Sequence, residues 1–409
     1  MHVAFVIPYL GGNGAERVVY RLARGFAGRG HKVDIVLFHT IIHRSLPEEV
    51  RVFLPGDAPD KLTEERNGEL LARAVRLRPT PGAADWLRVA GAVGWDPLCL
   101  PSGRLLRQTR AVAAYMEAER PDCMLPHLTR SQAATLLACR LLAEHPPVIP
   151  TVHSDVRHRS RRDRRRTRRL AGGAAHFVGV SRGVSESLAS AAGIPAGSIT
   201  TIHNPVVMPD IRTRAEEPAD HPWLSDGGPP VILAAGRLTR EKDYPTLVRA
   251  FARLAGRRPC RLVILGQGEQ RAEIEQLAAG LGLTDRVSLP GWVDNPFSFM
   301  SRASLFVLSS IYEGLPSVLV EAMACGCPCV STDCPAGPAE ILEDGRLGPL
   351  VPVGDEAALA DAMERVLERP PDPRALRTRA GDFAGETSVA AYEALIAGFV
   401  QPDSSRNRT

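Results

Sequence analysis

The stretch Ser309-Ser310-Ile311-Tyr312-Glu313-Gly314-Leu315-Pro316-Ser317-Val318-Leu319-Val320-Glu321-Ala322-Met323-Ala324 carries two acidic residues at a predicted strand-to-helix junction. The apolar run at 305–308 predicts a buried strand, and the helix formers at 318–324 predict a helix. Glu313 then lies in the loop and Glu321 about one turn into the helix. Free N–H groups at such a helix start favour an anion, so the two carboxylates are expected to face neutral hydroxyls of a ribose or a sugar. The alternative is an ordinary helix start with two solvated acids.

Short apolar runs alternate with helical patterns along most of the 409 residues. This alternation predicts an α/β fold of βαβ units with parallel sheets. A chain of this length exceeds the usual limit for one core, so two domains are expected, at 1–207 and 231–387. The polar, proline-rich stretch 208–230 is the predicted linker. Strands are predicted at 2–7, 33–38, 123–126, 148–151, 177–180, 231–235, 261–265, 287–289, 305–308 and 329–331, and residues 55–100 show no clear pattern.

Composition argues against a secreted, membrane-spanning or metal-binding protein. The apolar start at 1–8 is short and lacks a basic flank, so it predicts a first strand rather than a signal peptide. No stretch approaches the roughly 18 apolar residues of a membrane span, and a cytoplasmic protein is expected. Four of the eight cysteines cluster at 325–334, but their spacing is not that of a zinc site. Buried, reduced thiols and no metal are therefore predicted.

The net charge of +4 is unevenly distributed, because nine arginines lie between Arg157 and Arg169. Arg161, Arg162, Arg165 and Arg166 in this run are predicted to contact anionic phospholipid headgroups or a pyrophosphate-bearing acceptor. That contact would place the protein at the inner face of the plasma membrane. A solvated helix or loop is the alternative. Nucleic acid is not predicted, because no aromatic residues interleave with the arginines.

Two loops after predicted strands carry glycine or cationic residues. Gly11 and Gly12 follow the first strand, where glycine allows close approach of the backbone to a ligand. Their spacing is not the Gly-x-Gly-x-x-Gly dinucleotide pattern, so NAD is not predicted, and a plain tight turn is the alternative. Arg237 and Lys242 follow the strand at 231–235. Both can reach a diphosphate there, arginine in a bidentate manner and lysine as a point charge.

His153 is a further candidate, because it follows the strand predicted at 148–151. A lone histidine is more often structural. Its place at the carboxyl end of a strand, beside other polar residues, favours a role in a ligand cleft.

In their order and spacing, these segments resemble the family-4 retaining glycosyltransferases, which have the GT-B fold. The resemblance runs through 11–17, 153, 180–184, 202–206, 236–242, 313–321 and 324–328. The segment 333–342 is similar to a subgroup that builds bacterial glycans on polyprenyl-diphosphate carriers. The resemblance implies two Rossmann-like domains whose parallel sheets face a central cleft, with a last helix at 388–400 packed back on the first domain.

The resemblance also implies a reaction and a set of site residues. The second domain is expected to bind a UDP-hexose or UDP-N-acetylhexosamine, whose sugar passes with retention to a hydroxyl of a lipid-linked saccharide. Catalytic roles are implied for Arg237 and Lys242 on the diphosphate, Glu313 on the sugar hydroxyls and His153 on the donor sugar. Donor-binding positions are implied at Gly11, Gly12, Gly236, Gly314, Leu315, Ser317 and Glu321, the last on the ribose. No metal or other cofactor is implied.

Three alternatives to this reading are open. A nucleotide-sugar epimerase or hydrolase of the same fold would use the donor without an acceptor. A non-catalytic partner in an assembly complex would bind a glycan or a membrane only. A transferase acting on a soluble small molecule would share the donor site and differ only in the acceptor.

Overall fold

The computed structural model describes residues 1–12, 14–42, 46–55, 75–77, 102–225 and 227–400. Most of the unpatterned stretch 55–100, and Asn13 of the first glycine loop, lie outside the described residues. The chain divides into two compact units, one formed by Met1–Pro205 with Gly385–Thr409 and the other by Val206–Ala384. The stretch predicted as a linker, 208–230, belongs to the second unit and contains a short helix at Ile211–Glu216.

Strands and helices alternate along both units. The strands are β1 His2–Ile7, β2 Lys32–Leu37, β3 Val50–Pro55, β4 Val75–Leu77, β5 Cys123–Pro126, β6 Thr151–Val152, β7 Phe177–Gly179, β8 Ile199–Thr201, β9 Val231–Ala235, β10 Arg261–Leu265, β11 Val287–Gly291, β12 Leu305–Leu308, β13 Cys329–Thr332 and β14 Leu350–Val351. In the described residues the helices are α1 Gly14–Gly28, α2 Gly103–Glu119, α3 Thr129–Ala138, α4 Arg161–Leu170, α5 Arg182–Ala192, α6 Ile211–Glu216, α7 Tyr244–Ala255, α8 Arg271–Gly280, α9 Pro296–Met300, α10 Ser317–Cys325, α11 Pro338–Ile341, α12 Glu356–Glu368, α13 Pro373–Gly381 and α14 Gly385–Ala397.

The first unit has a parallel sheet in the order β4-β3-β2-β1-β5 and a smaller parallel sheet, β6-β7-β8. Successive side chains of β1 point to opposite faces, as in any strand. Phe5 accordingly packs in one cluster with α1 and α14, whereas Val6 packs in a second cluster with α2 and α3. Both faces of the sheet are thus covered by helices, which explains why β1 is apolar at every position from Val3 to Ile7.

The second unit has one six-stranded parallel sheet in the order β11-β10-β9-β12-β13-β14. One of its faces packs against α7 and α12, where Leu247, Phe251 and Met363 are fully buried. The helices therefore bury the apolar faces that their sequence patterns predict.

The predicted strands at 2–7, 123–126, 231–235, 261–265 and 305–308 are confirmed with their bounds. The strand predicted at 148–151 is wrong in its position, because β6 covers only Thr151–Val152 and Val148 makes a single bridge to Met124. β3, β4, β8 and β14 were not predicted. β8 and β14 have three and two residues, too few to show a period of two.

The seven cysteines among the described residues are free and buried, as predicted. Burial raises the pKa of each of these thiols, to about 12 for Cys139, so they are protonated at neutral pH. Over the described part of the chain, no helix combines the length and the apolar character needed to cross a bilayer.

Candidate active site

The candidate site of the second unit lies where the strand order reverses. From β9 the sheet continues through β10 to β11 on one side, and through β12 to β13 and β14 on the other. β12 pairs directly with β9, Leu305 with Ile232 and Phe306 with Leu233. The loops after β9 and β12 therefore leave adjacent strands at the same edge, which is where open α/β sheets bind ligands.

Lys242 and Glu313 meet at this edge. Nζ of Lys242 lies 2.5 Å from Oε1 of Glu313, although the two residues are 71 positions apart in the chain. Their side chains are 15% and 12% exposed, so the pair is mostly buried but open to a ligand. Two residues that the sequence predicts for the diphosphate and for the sugar hydroxyls are thus in direct contact.

Hydroxyl groups hold this pair in place. Ser310 donates its Oγ–H to Oε1 of Glu313 over 2.7 Å, and Ser309 donates to the carbonyl of Lys242 over 2.7 Å. Thr332, at the end of β13, donates to the carbonyl of Ser310 over 2.6 Å. Three neighbouring strand ends are linked in this way, so the positions of the charged groups are set before any ligand arrives.

Arg237 pairs with an acid of its own loop. Its Nη2 lies 2.7 Å from Oε1 of Glu241, and its side chain is 60% exposed. Burial alone would raise the pKa of Glu241, but a hydrogen bond from the backbone, with the charges of Arg237 and Lys242, lowers it. The N–H of Ile311 donates to the carbonyl of Glu241 over 2.8 Å, which ties the β9 and β12 loops together again.

The glycines at the ends of β9 and β10 bring two backbones into contact. A Cβ at Gly266, where φ is +133°, would lie 1.9 Å from the carbonyl oxygen of Gly236. A Cβ at Gly236 would lie 3.0 Å from the hydroxyl of Tyr244. Burial, with the charge of Glu313, raises the pKa of Tyr244, so its phenol is protonated and neutral beside the pair. A side chain at Gly266 would separate the two loops.

The start of α10 offers backbone N–H groups next to the Lys242–Glu313 pair. Among the described residues no side chain caps this helix, whose N-cap is Pro316. Gly314 and Leu315 are buried and Ser317 is half-buried. Gly337, at φ +96°, lies against this loop, since a Cβ there would lie 2.4 Å from Cδ of Pro316.

Glu321, predicted for the ribose hydroxyls, is completely buried within α10. Burial, together with the charge of Glu321, raises the pKa of Cys325 to about 12. A ligand hydroxyl can reach this carboxylate only if the residues that cover it move.

In the first unit, Gly11 and Gly12 follow β1 as predicted. The N–H of Gly12 donates to Oε2 of Glu16 over 2.6 Å. A Cβ at Gly11 would lie 3.0 Å from the same carboxylate oxygen. The N–H of Gly12, which the sequence predicts to bind a ligand, is thus already bonded to Glu16. An anionic ligand at Gly12 would have to displace the carboxylate of Glu16.

His153 pairs with a second histidine that the sequence reasoning missed. Nδ1 of His127 lies 2.8 Å from Nε2 of His153. Burial lowers the pKa of both rings, and the charge of Arg159 lowers that of His153 further, to about 3. Both imidazoles are therefore neutral at physiological pH. His127 follows β5 as His153 follows β6, so the same rule about strand ends would have found it.

The arginine run forms α4, whose N-cap is Ser160. Arg161, Arg162 and Arg165 are exposed, but Arg166 is half-buried. With Thr129, Gln132 and Ala133 of α3, Arg166 lines a small cavity. The four arginines that the sequence grouped together thus face two different environments. In the described residues, no group of three or more His, Cys, Asp or Glu side chains is arranged to hold a metal ion.

Two family models match the chain in tandem. Residues 12–208 match "Glycosyltransferase Family 4", and residues 216–383 match "Glycosyl transferases group 1". The two models meet near the boundary between the two units of the structure.

Curated relatives and solved structures agree with this assignment. Over 192 residues, 46% of the chain, it is 35% identical to the lipopolysaccharide core biosynthesis glycosyltransferase LpsE of Rhizobium meliloti (strain 1021), of which the match covers 52%. Over 137 residues, 34% of the chain, it is 37% identical to a Campylobacter jejuni N-acetylgalactosamine-N,N'-diacetylbacillosaminyl-diphospho-undecaprenol 4-alpha-N-acetylgalactosaminyltransferase, of which the match covers 37%. The chain therefore spans about half the length, or less, of these curated relatives.

The similarity of fold covers most of the chain. The structure of Anabaena HepE in complex with UDP and glucose superposes with a TM-score of 0.72 and 18% identity, covering 97% of this chain and 100% of that one. The predicted GT-B fold, with parallel sheets in two domains, is thereby confirmed. With its two consecutive family matches, the chain belongs to the glycosyltransferases, and combines a Glycosyltransferase Family 4 region with a Glycosyl transferases group 1 region.

Proposed function

We propose that this protein is a retaining glycosyltransferase that uses a UDP-hexose or a UDP-N-acetylhexosamine as donor. The acceptor is a hydroxyl of a polyprenyl-diphosphate-linked saccharide, in the synthesis of a cell-surface glycan. The observation that carries this proposal is the Lys242–Glu313 pair at the strand switch of the second unit. The Campylobacter jejuni relative, an N-acetylgalactosaminyltransferase that acts on a diphospho-undecaprenol-linked saccharide, supports the acceptor class.

The charges of this edge suit a nucleotide sugar. A nucleoside diphosphate needs cations and N–H donors, which Lys242, Arg237 and the uncapped start of α10 supply. A sugar needs acceptors for its hydroxyls, which the carboxylate of Glu313 supplies. Because Lys242 neutralises Glu313 in the absence of ligand, the carboxylate can lie close to a diphosphate site with little repulsion.

The proposed chemistry needs no protein nucleophile. The bond between the anomeric carbon and the diphosphate oxygen breaks, and Arg237 and Lys242 stabilise the negative charge that develops on the diphosphate. The acceptor oxygen attacks the same face of the oxocarbenium-like sugar, and its proton passes to a diphosphate oxygen. The anomeric configuration is retained, and Glu313 holds the sugar hydroxyls throughout. No metal is needed in this scheme, so excess EDTA is expected to leave the rate unchanged.

The exposed arginines of α4 are proposed to bind the acceptor side of the reaction. Arg161, Arg162 and Arg165 present three positive charges to solvent. Anionic headgroups at the inner face of the plasma membrane, where a lipid-linked acceptor resides, would attract them.

A donor screen with site variants tests the proposal. Candidate UDP-sugars are incubated with and without a lipid-diphosphate saccharide, and the products are identified by mass spectrometry and linkage analysis.

Arg237→Ala and Lys242→Ala are each expected to reduce kcat about a hundredfold, because each removes charge that stabilises the transition state. Arg240→Ala, an exposed cation of the same loop, is the control and should retain wild-type turnover. Wild-type rates in both site variants would remove the diphosphate assignment, and turnover without an acceptor would favour an epimerase or a hydrolase.

A further inference from the structure

Two imidazoles lie side by side at strand ends of the first unit. His127 follows β5, and its backbone N–H donates to the carbonyl of Val6 in β1 over 2.8 Å. His153 follows β6, and its ring centroid lies 5.0 Å from that of His127. The strand order of this unit reverses between β1 and β5, so His127 lies at the switch point of its sheet.

The hydrogen bond between the two rings contains one hydrogen, carried by one of the two facing nitrogens. Nδ1 of His127 and Nε2 of His153 are 2.8 Å apart, so one nitrogen carries hydrogen and the other accepts it. If His127 donates, its Nε2 is a bare acceptor and Nδ1 of His153 carries a hydrogen. If His153 donates, its Nδ1 is the bare nitrogen and Nε2 of His127 carries the hydrogen.

The surroundings of His127 decide between these two arrangements. His127 is completely buried, and among the described residues none forms a hydrogen bond with its Nε2. A buried N–H donor without a partner is rarer in proteins than an unsatisfied acceptor, because its desolvation is not compensated. The arrangement in which Nε2 of His127 carries no hydrogen is therefore favoured, and His127 is the donor to His153.

The charged and titratable neighbours of His153 keep it neutral. His127 lies against one side, and burial, together with the positive charge of Arg159, lowers the pKa of His153 to about 3. An imidazolium is thus excluded at physiological pH, and the ring has one N–H and one acceptor nitrogen. Because its Nε2 accepts from His127, the only hydrogen left for a ligand is on Nδ1 of His153.

We propose that His127 is a positioning residue that fixes the tautomer of His153, so that His153 presents an Nδ1–H donor to an oxygen of the substrate. The substrate atom that accepts this hydrogen bond is an oxygen of a hydroxyl or a phosphate. His153 does not transfer its proton to the substrate. The backbone beside His127 is strained, since Leu128 has φ +68°, a conformation that a non-glycine residue keeps only where the surrounding structure imposes it. Only the identity of the substrate rests on the proposed function.

Tautomers are read directly by NMR of the full-length protein labelled with 15N-histidine. The signals of His153 are identified by their loss in a His153→Gln variant. In the wild type, hydrogen is expected on Nδ1 of His153 and absent from Nε2. His127→Asn keeps an amide N–H near the position of Nδ1 and should preserve this tautomer, whereas His127→Leu removes the donor and should give a mixture.

Kinetics give the second readout. His127→Leu is expected to lower kcat roughly three- to tenfold, the worth of one orienting hydrogen bond, and His127→Asn should restore most of it. Hydrogen on Nε2 of His153 in the wild type would overturn the proposal. So would His127→Leu with an unchanged tautomer and wild-type kcat. Because the NMR result does not depend on which donor or acceptor is used, a failure of the proposed glycosyl transfer would leave this test intact.

Discussion

Asp34 is completely buried in β2, yet three side chains donate to its carboxylate. His2 and Tyr115 each approach Oδ2 to 2.6 Å, and Arg51 binds both oxygens over 2.8 and 2.7 Å. Burial alone would raise the pKa of Asp34, but these hydrogen bonds lower it below its ordinary value. The folded state thus holds a charge in its core because both carboxylate oxygens accept hydrogen bonds, one of them from three donors.

Removing one of these donors is predicted to destabilise the protein in a pH-dependent way. Tyr115→Phe should cost about 1.5–3 kcal/mol at pH 7, the usual worth of a hydrogen bond to a charged group. The pKa of Asp34 is lower in the folded state than in the unfolded state, where it is about 3.9. The ionised carboxylate therefore stabilises the folded state fully above that pH, and this stabilisation is lost as the pH falls through the pKa of Asp34 in the folded state. Urea unfolding at pH 7 and at pH 3 measures both effects. Tyr392→Phe, which loses a hydrogen bond to the neutral hydroxyl of Thr151, is the control, and an equal cost of Tyr115→Phe at the two pH values would contradict the assignment.

Among the helices, α10 depends on a glycine from another loop. Gly337→Ala would bring a Cβ to 2.4 Å from Pro316 and 3.1 Å from the carbonyl of Gly314. This clash is predicted to displace the loop before α10 and to weaken donor binding about tenfold or more, measured as the Kd of UDP by calorimetry. Gly354→Ala is the matched control, because Gly354 also has a positive φ, +78°, but a Cβ there meets nothing within 4 Å. Both changes strain the backbone, so equal Kd values would show that the loop tolerates the added methyl group.

The exposed face of α4 is predicted to bind anionic vesicles. Each surface arginine contributes about 1 kcal/mol to binding an anionic membrane, so replacing Arg161, Arg162 and Arg165 with alanine should weaken the partition roughly a hundredfold. The control replaces Arg212, Arg369 and Arg374, three exposed arginines of the second unit. Sedimentation with vesicles of phosphatidylglycerol and phosphatidylcholine measures the effect, and pure phosphatidylcholine should bind neither variant. Equal losses in the two triple variants would indicate that net charge alone, and not this helix, is responsible.

On the scale of the whole molecule, α14 follows the second unit in sequence but belongs to the first unit. α14 packs against α1, and a Cβ at Gly25 would lie 2.4 Å from Cγ2 of Val389. Tyr392 shares a hydrogen bond of 3.0 Å with Thr151, and Glu393 pairs with His31 over 2.6 Å and with Arg29. The last helix is therefore part of the first unit's core, with Tyr392 and Ile396 almost fully buried.

Truncation before Ser388 is predicted to destabilise the first unit. It removes Val389, Tyr392 and Ile396, each of which contributes about 1.5–3 kcal/mol when buried, and exposes their partners. For a unit of this size, a loss of about 5 kcal/mol lowers Tm by roughly 10–20 °C. Scanning calorimetry measures the change, and Tyr392→Phe, which loses one hydrogen bond only, should lower Tm much less. An unchanged melting temperature after truncation would show that α14 is dispensable.

Local patterns in the sequence determined most of the elements and the candidate residues. Apolar runs such as 231–235 and 305–308 are bounded by glycine and polar residues, so strands and the loops after them could be located. Lys242, Glu313 and His153 were then selected because they follow strands. The period of side chains along a strand or a helix is a property of neighbouring residues, and it is visible without knowing the fold.

Contacts between distant segments were decided only by the tertiary structure. The 2.5 Å contact of Lys242 with Glu313 exists because β12 pairs with β9, and nothing within either segment encodes that pairing. The partnership of His127 with His153, the burial of Glu321 and the packing of Arg166 on α3 have the same origin. Each depends on which strands and helices lie side by side. That order is set by the burial of the whole apolar surface, and a stretch of sequence read alone does not contain it.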